Sequence, residues 1–243
     1  MRIAMWSGPR NLSTALMYSF GNRPDTAVWD EPFYAAYLHT TGLSHPLAAE
    51  IMAAGDISAP RIAARCLGPI PDDKPIFYQK HMTHHMLPDF PLSWSEDVTN
   101  IFLIRHPDRV IASYHAKREN PTLEDIGFRQ QAAIFEKLKR KGHSTIVIDS
   151  EDILKAPEAS LRTLCEAINL PFTPEMLNWP KGGHSSDGPW AKHWYGSVWG
   201  TKGFAKGVSL PLALTPAGKN LAAKALPFYE SLAALKLRIP DLS

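Results

Sequence analysis

Apolar residues along this chain of 243 residues recur in two rhythms. Short, nearly unbroken runs read as buried strands: RIAMW at 2–6, TAVWDEPF at 26–33, PIFYQKH at 75–81, NIFLIRHP at 100–107 and STIVI at 144–148. Between them the spacing lengthens to that of helices. Gly8 and Pro9 turn the chain after the first run, and Ser13 stands where a helix cap belongs. In DRVIASYHAKREN, Val110, Ile111 and Tyr114 share a face behind a capping Asp108. FRQQAAIFEKLKRKG sets Phe128, Ala132, Phe135 and Leu138 on one side, with a basic last turn and Gly142 as the stop. EASLRTLCEAINL at 158–170 forms a further helix, and a terminal one starts after about Thr215. Past Leu170, Pro, Gly and Trp crowd the chain, which predicts a long functional loop or lid.

Strands alternating with helices predict a three-layer α/β/α domain over residues 1–243, with a mostly parallel central sheet and ligands at the carboxyl ends of its strands. Arg10, Glu31, His81, Arg105 and Asp149 all fall just beyond such ends. Composition adds exclusions. With 44% apolar and 21% charged residues the chain can bury a substantial core, and a net charge of +2 argues against nucleic acid as a partner. The two cysteines, Cys66 and Cys165, have neither disulfide-framework nor metal spacing. The N-terminus lacks the apolar run of a secretion signal and no segment is long enough to span a bilayer, so the expected location is cytoplasmic, away from membranes. HxxHH at 81–85 has no neighbouring carboxylates, and no metal is expected.

The stretch GPRNLST (8–14) resembles a phosphate-binding loop without its Gly-Lys. A helix N-terminus offers unpaired N–H groups and partial positive charge, and Arg10, Ser13 and Thr14 add donors, so phosphate or sulfate suits it better than a triphosphate with magnesium. A Gly-Pro turn capped for stability alone remains the plain alternative. A second anchor follows: Arg105 ends a strand and Ser113 lies eight residues on, so both can grip one phosphate if the loop folds back; otherwise Arg105 is an ion-pair partner.

With these blocks in order, the chain resembles the sulfotransferases that use 3′-phosphoadenylyl sulfate (PAPS). GPRNLST is similar to their 5′-phosphosulfate loop, IFLIRHPDRVIASY to the strand, Arg and helix Ser that hold the 3′-phosphate, TIVIDSEDILKAPEASLRTLCEAINLPF to their later strand and helix, and KHMTHHMLP to the block carrying a catalytic His. The likeness covers roughly residues 1–175. It implies a P-loop NTPase-like fold, PAPS as co-substrate without metal, and sulfuryl transfer to a small alcohol, amine or sugar. It also implies that Gly8, Pro9, Arg10, Asn11, Leu12, Ser13 and Thr14 hold the phosphosulfate and that Arg105 and Ser113 hold the 3′-phosphate. Arg10 would steady the charge on the leaving phosphate. The base is Glu31 or His81, with Lys80 either at the sulfonate or facing solvent. Leu12 departs from the family's usual Gly, and the C-terminal basic loop is not recognisable; Lys202 and Lys206 are its nearest candidates.

Two other readings stay open: a P-loop kinase or nucleotide hydrolase with Asp149 as the metal-binding carboxylate, and a binding protein that kept the fold without the chemistry. Acceptor choice is expected in loops 35–70 and 180–206; Trp179, Trp190, Trp194 and Trp199 either line an acceptor pocket, stack on adenine or fill the long loop. Oligomeric state is not legible.

Overall fold

Five parallel strands, β1 (Arg2–Ser7), β2 (Thr26–Asp30), β3 (Ile76–Met82), β4 (Thr99–Ile104) and β5 (Thr145–Asp149), form one sheet in the order β2-β3-β1-β4-β5. The structure is a computed structural model that describes residues 1–116, 120–204 and 214–240. The helices are α1 (Ser13–Gly21), α2 (Tyr34–Thr41), α3 (Ala48–Ala54), α4 (Ala59–Cys66), α5 (Pro107–His115), α6 (Phe128–Arg140), α7 (Ser150–Lys155), α8 (Pro157–Ala167), α9 (Ala191–Trp194), α10 (Gly196–Trp199) and α11 (Pro216–Ala233).

The period-two pleat sorts each strand between the two layers. Ile3 and Met5, Ile76 and Tyr78, Ile101 and Leu103, and Ile148 join Leu16, Phe20, Leu161 and Leu164 of α1 and α8 in one cluster. Ala4 and Trp6, Phe102 and Ile104, and Val147 face the other way, onto Ile62 of α4, Phe135 and Leu138 of α6 and Leu232 of α11. Strands buried on both faces read as continuous apolar runs, which is why the sequence announces them. Truncating a ring such as Phe102 or Phe135, both at most 1% exposed, would cost about 3–5 kcal/mol.

Between α1, on the first face, and α6, on the second, the chain leaves the carboxyl ends of β1 and β4 in opposite directions, and a crevice opens there. Its back wall is tight. A Cβ on Gly8 would come within 2.6 Å of the Ile126 carbonyl, and one on Gly127, held at φ +71°, within 2.7 Å of Thr83 Oγ1. Thr83 Oγ1 donates to the Gly127 carbonyl at 2.9 Å, while Gln131 Nε2 of α6 donates to the carbonyls of Trp6 and Leu103 at 3.0 and 2.9 Å.

Several local expectations change. The run at 26–33 stops being strand at Asp30 because Glu31 takes a left-handed conformation, φ +43°. Ser13 is the first helical residue rather than the cap of α1: Leu12 holds that position, and Asn11 Oδ1 accepts from the Leu12 N–H at 2.8 Å. His106, not Asp108, caps α5, its Nδ1 accepting from the Asp108 N–H. Residues 35–70 contain α2, α3 and α4, whose short alanine-rich turns left no long period to read. The stretch past Leu170 carries α9 and α10. Thr215 does cap α11, accepting from the Gly218 N–H at 3.1 Å. No helix among the described residues is long and apolar enough to cross a membrane.

Candidate active site

The crevice is a cavity of about 540 Å³ lined at one end by residues 9–14, Arg105 and Ser113, and at the other by Glu31, Lys80, Tyr34, Tyr37, His84, His85 and Tyr195. The β1–α1 loop and the β4–α5 turn meet at the first end. Arg10 Nε donates to Ser113 Oγ at 3.1 Å, Arg10 Nη2 to the Ser113 carbonyl at 3.3 Å, and Arg105 Nη1 to the Arg10 carbonyl at 2.8 Å. Asn11 ties the loop to the sheet through the Leu103 carbonyl at 2.8 Å. Arg105 Nε is buried and has no hydrogen-bond partner among the described residues. Burial lowers the Arg105 pKa, although a guanidinium remains charged at any physiological pH.

The left-handed conformation that glycine favours falls on Arg10, at φ +56°, while Leu12 has an ordinary φ of −70°. Leu12 therefore satisfies its position without the freedom of glycine. An arginine held at positive φ costs about 1–2 kcal/mol, and such strain gathers at ligand-handling sites.

At the second end lies a buried ionic cluster. Lys80 Nζ donates its three protons to Asp30 Oδ1 at 2.8 Å, Glu31 Oε1 at 2.6 Å and the Tyr195 hydroxyl at 2.6 Å. The Tyr195 hydroxyl also accepts from Trp190 Nε1 at 3.0 Å and reaches Asp30 Oδ2 at 2.8 Å. Burial would discharge Lys80, but Asp30 and Glu31 outweigh it and raise its pKa; burial, reinforced by Glu31, raises that of Asp30 against the pull of Lys80. Glu31 Oε1 is thus engaged. Its Oε2 has no hydrogen bond among the described residues, with His85 Nδ1 4.0 Å away.

His84 and His85 also line this end, their rings 4.2 Å apart and tilted; His85 stacks on Tyr34 and Tyr37, His84 meets Tyr37 edge-on, and burial lowers both imidazole pKa values, His84 to about 4. They are neutral at pH 7. Sequence reasoning set these two aside, and it did not single out Tyr34, Tyr37 or Tyr195; counting the β3 pleat from Tyr78 to Lys80 and Met82 is the signal that carries the chain to this wall.

His81 is not in the cavity. One residue out of phase with Lys80, it faces the opposite layer, its ring 4.8 Å from those of Trp6 and Trp94 and its Nε2 donating to Gln79 Oε1 at 3.2 Å. It is 1% exposed, and burial pushes its pKa down to about 3, so it has no route to a reacting proton. Lys202 is exposed and outside the cavity; its carbonyl accepts from Trp179, beside the C-terminal end of α1, whereas the loop sits at the N-terminal end. Lys206 lies outside the described residues. Asp149 caps α7 through the Glu151 N–H and accepts from Tyr229 at 2.7 Å, so it does not face the cavity as a metal carboxylate would. Of the tryptophans, Trp194 lines the cavity, Trp190 stands behind Tyr195, and Trp179 and Trp199 pack against Tyr18 or its hydroxyl.

A family model described as "Sulfotransferase domain" matches residues 1–236. The chain belongs to the sulfotransferase domain family. Among curated proteins, it is 33% identical over 230 residues to "Branched-chain-amino-acid aminotransferase-like protein 1" of Arabidopsis thaliana, a match covering 95% of this chain and 41% of that protein. The chain thus spans about two fifths of the length of that relative. Among solved structures, a sulfotransferase from Alicyclobacillus acidocaldarius superposes with a TM-score of 0.57 at 11% identity, covering 97% of this chain and 96% of that one. The sulfotransferase domain of the Synechococcus PCC 7002 olefin synthase gives 0.52 at 21% identity, covering 92% and 94%. These likenesses are of fold, and place the three-layer α/β/α architecture among sulfotransferases.

Proposed function

We propose that this sulfotransferase-family chain moves a sulfuryl group from PAPS to the hydroxyl of a small acceptor, with Glu31 as the base. The observation that carries the reading is the single cavity in which Arg10, Arg105 and Ser113 stand at one end and the unbonded Glu31 Oε2 at the other. A donor with two anionic groups fits the first end on the chain's own terms: a buried guanidinium Nε lacks a partner among the described residues, and the amides opening α1 have no carbonyl of the helix to meet.

Residues 9–14 and Arg105 would hold the donor's phosphates, with Ser113 adding one hydrogen bond. When bound, PAPS supplies a sulfuryl group whose bond to phosphate breaks as one to the acceptor oxygen forms. Arg10 and the helix amides offset the charge that gathers on the phosphate side. Glu31 Oε2 accepts the hydroxyl proton, and Lys80 with Tyr195 fixes the other carboxylate oxygen so that Oε2 keeps its aim. His81, Asp149 and Lys202 have no part in this arrangement.

Thermal melts with 3′,5′-bisphosphoadenosine, with ATP and magnesium, and with neither test the donor half. The bisphosphate should stabilise the protein without metal, and Arg105→Ala should remove that shift. Losing charge-assisted bonds worth about 1.5–3 kcal/mol corresponds to roughly 10–150-fold weaker binding. Glu31→Gln should keep the shift and lose turnover. A response only to ATP with magnesium would refute the reading in favour of a kinase; a bisphosphate shift with Glu31→Gln as active as the parent would refute the base.

A further inference from the structure

The ionic cluster at the acceptor end does not balance. One ammonium, Lys80, meets two carboxylates, Asp30 and Glu31, and all three side chains are at least nine-tenths buried. One negative charge therefore remains beside the atom that takes the acceptor's proton. Burial keeps His84 and His85 uncharged, and the third imidazole of the lining, His45, is engaged by the Tyr34 hydroxyl at 2.8 Å. Asp125 adds a carboxylate to the same lining, and the other described cations of the cavity, Arg10 and Arg105, are tied to Ser113 and to the loop at the donor end. A buried excess charge is costly unless something of opposite sign approaches it. The walls around Glu31 suit such a visitor. Tyr34, Tyr37, Trp194 and Tyr195 all line the cavity, and aromatic faces attract cations.

We propose that the acceptor is an alcohol carrying a protonated amine close to its reacting hydroxyl on an aromatic or apolar scaffold, and that Asp30 sets this preference from behind the wall. Asp30 does not line the cavity and touches no acceptor; it acts by holding half of the Lys80 charge, which leaves that of Glu31 unmatched. Hydroxy acids and acidic sugars are the class this arrangement repels. The inference deepens the assignment of Glu31 as base and rests on it.

Three congeners sharing one benzylic hydroxyl separate the charges: 2-amino-1-phenylethanol as cation, 1-phenylpropan-1-ol as neutral isostere and 3-hydroxy-3-phenylpropionate as anion. Binding of each to the protein saturated with 3′,5′-bisphosphoadenosine is measured by calorimetry, and turnover with PAPS by kcat/KM. A unit charge a few ångströms away at an effective dielectric near 20 leads us to expect at least about tenfold preference for the cation over the neutral compound, with the anion weakest. Asp30→Asn keeps the shape and removes the excess charge, so the cation-to-neutral ratio should fall to within about threefold, the neutral compound serving as the reference for any general loss. Equal binding of cation and neutral compound by the parent protein, tighter binding of the anion, or an unchanged ratio in Asp30→Asn would overturn the proposal. Absence of binding by all three would overturn it too, while the bisphosphate melts and the Arg105→Ala result would still stand for the donor. Should Asp30→Asn not fold, the order of the three affinities in the parent protein decides alone.

Discussion

Replacing His81 by Gln removes a proton that the folded protein refuses to bind. The imidazole packs between Trp6, Phe33 and Trp94, donates from Nε2 to Gln79 Oε1 and leaves Nδ1 buried without a partner among the described residues; burial lowers its pKa from 6.5 to about 3. The folded state thus binds fewer protons than the unfolded one. Stability from this residue is fully present above pH 6.5 and is lost as pH falls from there toward 3. Between pH 7 and pH 5, protonation of the unfolded imidazole alone favours unfolding by about 2 kcal/mol, a figure that requires only that the folded ring stay neutral at pH 5. Glutamine carries no titrating proton and retains an N–H for Gln79. Urea unfolding of both proteins at the two pH values measures the difference: the parent should lose about 2 kcal/mol more than His81→Gln. The contributions of His84 and His85 are common to both proteins and cancel. Equal losses would mean that His81 is charged or exposed, and would return it to the candidates for the base. A folded His81→Gln protein without turnover would do so independently.

Arg10→Gly should relieve the left-handed backbone and hold or raise stability by about 1 kcal/mol while weakening bisphosphate binding, read from melts with and without ligand. Leu12→Gly should lower stability by about 0.5–1 kcal/mol with no gain in bisphosphate affinity, because Leu12 already has an unstrained φ. Tyr195→Phe strips a hydroxyl that accepts from Lys80 and Trp190, costing about 1–3 kcal/mol in urea unfolding; kcat should fall while bisphosphate binding is unchanged.

What the sequence displays is what a parallel sheet must encode locally. The five apolar runs, the Gly-Pro turn before α1 and the basic end of α6 are each decided within a few residues, and they suffice for the layers and for bringing Arg10 and Arg105 to one crest. Side-chain direction is harder. Lys80 and His81 are neighbours in sequence, and only the phase of the pleat sends one into the cavity and the other into the aromatic layer behind it. The partnership of Tyr195 with Asp30, Glu31 and Lys80 joins positions more than a hundred residues apart and leaves no periodic trace. Lys202 misled through composition: glycines and lysines resembled a phosphate loop, but the backbone there pairs with Trp179 at the far end of α1.

The close packing at Gly8 and Gly127, where a Cβ would collide with the Ile126 carbonyl and with Thr83 Oγ1 respectively, has a thermodynamic consequence. The loop that would receive an anion is braced from behind before any ligand arrives, so its conformational entropy is surrendered once, when the chain folds, rather than at every encounter. Association at that loop should accordingly show little disorder-to-order penalty, and the adaptability needed to accommodate different guests must reside in the opposite rim.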